Sequence, residues 1–96
     1  MKHGLNEKVI DAIIQLATDC NIERVVLFGS RARGDYKERS DIDIAAYGGE
    51  VDKFGIEVDE FVPTLLKFDV VNMDKPVQNE LIDSIEKEGV TIYEKV

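Results

Sequence analysis

Residues 27–34, LFGSRARG, followed after a short polar stretch by residues 40–44, SDIDI, carry the most information in this 96-residue chain. Val25, Val26, Leu27 and Phe28 form a continuous apolar run from Glu23 that stops at Gly29, as a buried strand does. Ser30 to Arg33 can open a short helix before Gly34, and 34–40 is polar and turn-rich. Ile42, Ile44 and Ala46 then alternate with Asp41, Asp43 and Ala45, the period of a second strand closed by Gly48-Gly49. Side chains two apart on a strand share a face, so this spacing predicts that Asp41 and Asp43 project together while Ile42 and Ile44 enter the core.

Working outward, Asn6 and Glu7 suit a helix start, and Val9, Ile10, Ile13, Ile14, Leu16 and Ala17 recur at helical spacing as far as Asp19. Val51, Phe54, Val58, Phe61 and Val62 predict a second long helix that Pro63 ends. Residues 67–72 hold Phe68, Val70 and Val71 around Asp69, a third strand. Pro76 is expected at the start of a helix bearing Leu81, Ile82 and Ile85, which Gly89 terminates before a last strand at 90–93. Strands alternating with helices, without repeat or linker, predict one α/β domain over residues 1–96.

Composition narrows the function. With 44% hydrophobic and 33% charged residues the chain is expected to fold. A formal net charge of −8 argues against a domain that grips nucleic acid directly, since Lys and Arg supply most of that affinity. No apolar run approaches the length of a membrane span, and no secretory signal is visible, so a cytoplasmic protein is expected. The single cysteine, Cys20, cannot form an internal disulfide and reads as a small packed residue near a helix end. His3 reads as frayed terminal chain, and Phe54, Phe61, Phe68 and Tyr93 as core; Tyr36 and Tyr47 lie near the motif and read equally as nucleotide contacts or as loop and surface residues.

Two carboxylates side by side repel, and a hard divalent cation with oxygen ligands resolves the conflict. Asp69 is a charge on an apolar background and needs a reason to be there. If the third strand lies beside the second, Asp69 joins Asp41 and Asp43 in a cluster able to hold two metal ions for phosphoryl-group displacement. Gly29 lets backbone approach a ligand closely, and Ser30 with the following amides offers phosphate oxygens a helix start. Of Arg31 and Arg33, one is expected to aim at phosphates and the other to brace the loop, and the spacing does not say which.

The stretch from Leu27 to Gly34, with Ser40 to Ile44, resembles the minimal nucleotidyltransferase (MNT) family of the DNA polymerase β-like superfamily, over roughly residues 22–74. The resemblance implies an α/β (α+β) nucleotidyltransferase fold, a small mixed sheet flanked by helices, with Gly29 and Ser30 in the nucleotide-binding turn. It implies that Asp41 and Asp43 bind Mg2+, two ions in all, and that Asp69 matches the third carboxylate, the base for the acceptor hydroxyl. ATP is the implied donor. Larger relatives add a helical acceptor-binding domain, which this chain is expected to lack. Proteins resembling it are commonly paired with a HEPN-domain ribonuclease, which the MNT antitoxin adenylylates on tyrosine. Two other readings stay open: an antitoxin that neutralises its partner by contact alone, and a small-molecule transferase acting on an aminoglycoside-like hydroxyl.

Overall fold

The computed structural model describes residues 3–96. Its elements, in chain order, are α1 (Glu7–Asp19), β1 (Arg24–Phe28), α2 (Gly29–Arg33), β2 (Ile42–Tyr47), α3 (Val51–Phe61), β3 (Phe68–Asn72), α4 (Asn79–Glu88) and β4 (Val90–Glu94). The strands make one mixed sheet in the order β3-β2-β1-β4. β1 runs antiparallel to both β2 and β4, while β2 and β3 are parallel and joined across the sheet by α3. A parallel pair needs such a crossover, because a tight turn cannot return the chain to its starting end.

Alternation along the strands separates two apolar layers. Val25, Leu27, Ile42, Ile44 and Ala46 meet α1 through Val9, Ile13 and Ala17, and α3 through Val51, Phe54 and Val58. On the opposite face Val26, Phe28 and Ala45 pack with Ile85 of α4. The sheet is thus covered by α1 and α3 on one side and by α4 on the other, the mixed sheet flanked by helices that the family resemblance implies.

The ends of the elements follow local chemistry. The Asn6 side chain accepts a hydrogen bond from the Val9 amide at 2.9 Å and caps α1. Gly34, at φ +92°, ends α2 in the left-handed conformation that favours glycine. Three expectations need correction. Pro76 lies ahead of α4 rather than at its start: the Leu81 and Ile82 amides both bond to the Gln78 carbonyl, so Gln78 caps a helix that begins at Asn79. Phe61 is 62% exposed and not core, because the chain leaves helical geometry at Val62, and Val62 takes the buried place that continues the Val51, Phe54, Val58 stripe. His3 is not frayed; it is buried, its Nδ1 accepts from the Leu5 amide at 3.0 Å, and its carbonyl accepts from Arg31.

Cys20 caps the C-terminal end of α1, fully buried, with Sγ 3.3 Å from Oε1 of Glu57. Burial first, and then the hydrogen bond to Glu57, push its thiol up to about 11. A group raised on folding favours the fold while protonated, so this contribution is intact below the unfolded pKa near 9 and is lost as pH climbs toward 11. Native protein at pH 8 should resist iodoacetamide, whereas protein in denaturant should be alkylated fully; mass spectrometry of the two reactions distinguishes a sealed thiol from a reactive one.

Candidate functional site

The antiparallel and parallel pairings bring the end of β1 and the starts of β2 and β3 to one end of the sheet. In register, Phe28 stands opposite Asp43, and Asp43 opposite Asp69. Adjacent strands lie about 4.8 Å apart, and paired residues in a sheet share a face, so the Asp43 and Asp69 side chains are neighbours. That face is the one covered by α4: the flanking residues Ile42, Ile44, Phe68 and Val70 all belong to the other layer. Asp41 precedes β2 by one residue and is exposed, as is Asp69, while Asp43 is half-buried.

Gly29 completes this row. Its φ of +74° places it in the left-handed region, and a Cβ there would collide with the carboxylate of Asp43. Only a residue without a side chain lets the backbone lie against that acid. The GS turn and the DID strand, separated by ten residues in the sequence, therefore form one structural unit.

Charge is crowded at this end of the sheet. Partial burial, repulsion from Asp69 and repulsion from Asp41 all raise the Asp43 carboxyl above its usual range, and Arg33 offsets this only in part. Three hard oxygen-donor side chains on one sheet face, one of them held in an unfavourable negative field, suit a divalent cation such as Mg2+. Among the described residues, however, no three acidic, histidine or cysteine side chains are gathered closely enough to hold a metal ion. Asp43 and Asp69 are brought together by the register; Asp41 stands at the open edge.

The two arginines have different environments. Arg31 is 2% exposed. Its Nε and Nη2 donate to the Ser40 carbonyl at 3.1 and 3.0 Å, Nη2 also to Glu38 O at 3.2 Å, and Nη1 to His3 O at 3.0 Å. Its guanidinium lies 4.8 Å from the centre of the Tyr36 ring. Arg31 thus has the environment of a brace, with its donors committed to backbone carbonyls. Arg33 is exposed and pairs with Asp35 at 3.1 Å and with Glu88 of α4 at 2.9 Å, in reach of the Asp43 field. Exchange of these exposed ion pairs for a phosphate costs little, since such pairs are weak in water. Tyr47 stacks under Arg24 at 4.2 Å, at the far end of β2.

His3 and Glu88 contribute to this arrangement and carry no motif of their own, and Ser40, which opens the SDIDI stretch, has a bracing role that the motif does not state. Ser40 fixes the loop twice, with Oγ accepting from the Lys37 amide at 2.8 Å and its carbonyl from Arg31. Their partners lie far along the chain or on the backbone, where residue spacing gives no signal.

Comparison with known proteins identifies the family and the fold. The sequence model of the Polymerase beta, Nucleotidyltransferase family matches residues 8–96, and the chain belongs to that family. Among curated relatives, MJ0604 of Methanocaldococcus jannaschii, named as a candidate protein adenylyltransferase, is 52% identical over 50 residues, covering 52% of this chain and 48% of that protein. The chain thus matches about half the length of this relative. MJ0141 of the same organism, named in the same way, is 33% identical over 79 residues, covering 74% of this chain and 79% of the relative. Among solved structures, a toxin–antitoxin crystallised with AMP-PNP superimposes with a TM-score of 0.72 at 20% identity, covering 90% of this chain and 73% of that one. A mutant of the MntA–HpeT toxin–antitoxin gives 0.73 at 22% identity, covering 95% and 75%. At these identities the two structures establish the shared fold. Among the described residues no helix is long and apolar enough to cross a membrane.

Proposed function

We propose that residues 1–96 act as one nucleotidyltransferase domain that transfers AMP from ATP to a hydroxyl group of a partner protein, using Mg2+. The observation that carries this reading is the row Gly29, Asp43 and Asp69, with Asp41 beside it. Bound there, Mg2+ would supply charge neutralisation for the phosphates and for the developing oxyanions. Asp41 and Asp43 would hold it, and Asp69 would help. Gly29 and Ser30 provide a backbone turn that the triphosphate can approach, and Arg33 is the available guanidinium for its oxygens. The acceptor oxygen attacks the α-phosphorus in line, the new P–O bond forms as the bond to pyrophosphate breaks, and the hydroxyl proton passes to Asp69 as base.

The names of the two M. jannaschii relatives support a protein acceptor, and the toxin–antitoxin assembly of the structural neighbours supports an antitoxin role. We assign the partner as a HEPN-domain toxin modified on tyrosine. Exposed Ile56, Phe61 and Leu65 on and after α3 give such a partner apolar surface to cover. The same surface favours a second reading, neutralisation by contact alone, in which the carboxylates are dispensable.

ATP labelled on the α-phosphate, Mg2+ and a purified HEPN-domain toxin test both. The reading expects label on the partner with wild type and none with Asp41→Ala/Asp43→Ala. Equal labelling with both proteins contradicts it, and full protection of cells by the unlabelled double variant establishes neutralisation by contact.

A further inference from the structure

Arg31 is a buried cation with no carboxylate at ion-pair distance among the described residues. Burying a guanidinium costs free energy unless its donors are met, and here they are met by the carbonyls of His3, Glu38 and Ser40. The doubly held carbonyl, Ser40 O, belongs to the peptide that leads into Asp41. One residue further, the Ile42 amide donates to Lys67 O at 2.8 Å and starts the β2–β3 pairing that sets Asp43 beside Asp69. The guanidinium therefore fixes the peptide plane from which both acids of the DID strand are aimed. Its fork suits the task; a lysine ammonium offers one centre and cannot reach three separate carbonyls in plane.

The other side of the guanidinium is closed by the segment His3–Leu5. His3 O takes the Nη1 bond, and Gly4, at φ +72°, lies so close that a Cβ would be 2.5 Å from Cε2 of Tyr36 and 2.7 Å from Nη1 of Arg31. Tyr36 supports the guanidinium by its ring. The distant N-terminal strap, the GSRARG turn and the loop that follows it before β2 thus share one side chain.

We infer that Arg31 is a positioning residue that sets Asp41 and Asp43 for cation binding, and that the His3–Leu5 strap latches it in place. The inference rests on the proposed role of those two acids, but its structural half can be read without it. The variants are Arg31→Lys, which keeps the charge, Arg31→Ala, and Gly4→Ala, which unseats the strap while leaving the Arg31 side chain itself unsubstituted. Hydrogen exchange reports the loop directly: the Ile42 and Ser40 amides should exchange at least tenfold faster in all three, while amides of α1 and the centre of β1 keep their protection. Calorimetric titration with MgCl2 should show half-saturation rising about tenfold or more. Methylguanidinium added to Arg31→Ala should restore both readouts, which a general loss of packing would not allow.

Exchange at Ile42 and Mg2+ half-saturation within twofold of wild type in Arg31→Lys and Gly4→Ala would overturn the inference. If wild type binds no Mg2+, the nucleotidyl-transfer reading fails on its own, and the exchange data alone decide whether the strap and Arg31 hold the loop. Should Arg31→Ala fail to fold, Gly4→Ala carries the same decision.

Discussion

Asp43→Asn is expected to lower nucleotidyl transfer on the order of a thousandfold while leaving the melting temperature unchanged or higher. The two halves of this prediction come from the same crowding. Asp43 is half-buried between Asp69 on the neighbouring strand and Asp41 two residues before it, and its carboxyl is raised by burial and by both neighbours. An acid raised in the fold binds its proton more tightly folded than unfolded, so it stabilises below its unfolded pKa and this contribution is lost as pH rises through the folded value. At neutral pH the wild type therefore carries a repulsion that asparagine relieves at nearly constant volume. Melting curves at pH 7 and pH 4 check the sign: the variant's advantage should shrink at the lower pH, where wild-type Asp43 is increasingly protonated. A variant that melts several degrees lower at pH 7 would show that Asp43 is a structural acid.

Gly29→Ala is the second large effect. The left-handed φ of +74° costs a residue with Cβ about 1–2 kcal/mol, and the added methyl would in addition strike the Asp43 carboxylate. Displacing a reacting group by about 1 Å costs on the order of a hundredfold in rate, so transfer should fall by at least that much. Gly34→Ala separates the two causes. Gly34 has φ +92°, but a Cβ there meets nothing within 4 Å, so only backbone strain is introduced. Steady-state assays and thermal melts should show both variants destabilised and only Gly29→Ala strongly impaired. Comparable transfer by the two would place the Asp43–Gly29 contact outside the chemistry.

Much of the fold was readable because its signals are local. The apolar period of α1 with Asn6 as cap, the alternation of Ile42, Ile44 and Ala46, and the run ending at Gly29 each state a face and a boundary within a few residues. The neighbourhood of Asp69 and Asp43 was legible only as a condition, since parallel pairing across a helix is a long-range event that no local pattern encodes. The places where reading failed are of that kind. Phe61 and Val62 compete for one buried position, and the exit of the chain from α3 decides between them. Pro76 fits an extended segment as well as a first helical turn. Arg31 and Arg33 look equivalent in the motif; what separates them is the carbonyl of His3, twenty-eight residues earlier, and a carboxylate at Glu88, fifty-five residues later.

On the proposed mechanism, Asp41, Asp43 and Asp69 converge on a divalent cation beside the Gly29 turn when nucleotide binds. Crystals grown with Mn2+ and a non-hydrolysable ATP analogue test it by anomalous scattering. A Mn2+ peak is expected at ligand distance from the carboxylates of Asp41 and Asp43, with the triphosphate over Gly29 and Ser30. Nucleotide bound elsewhere, or bound with no metal between these two acids, would contradict it.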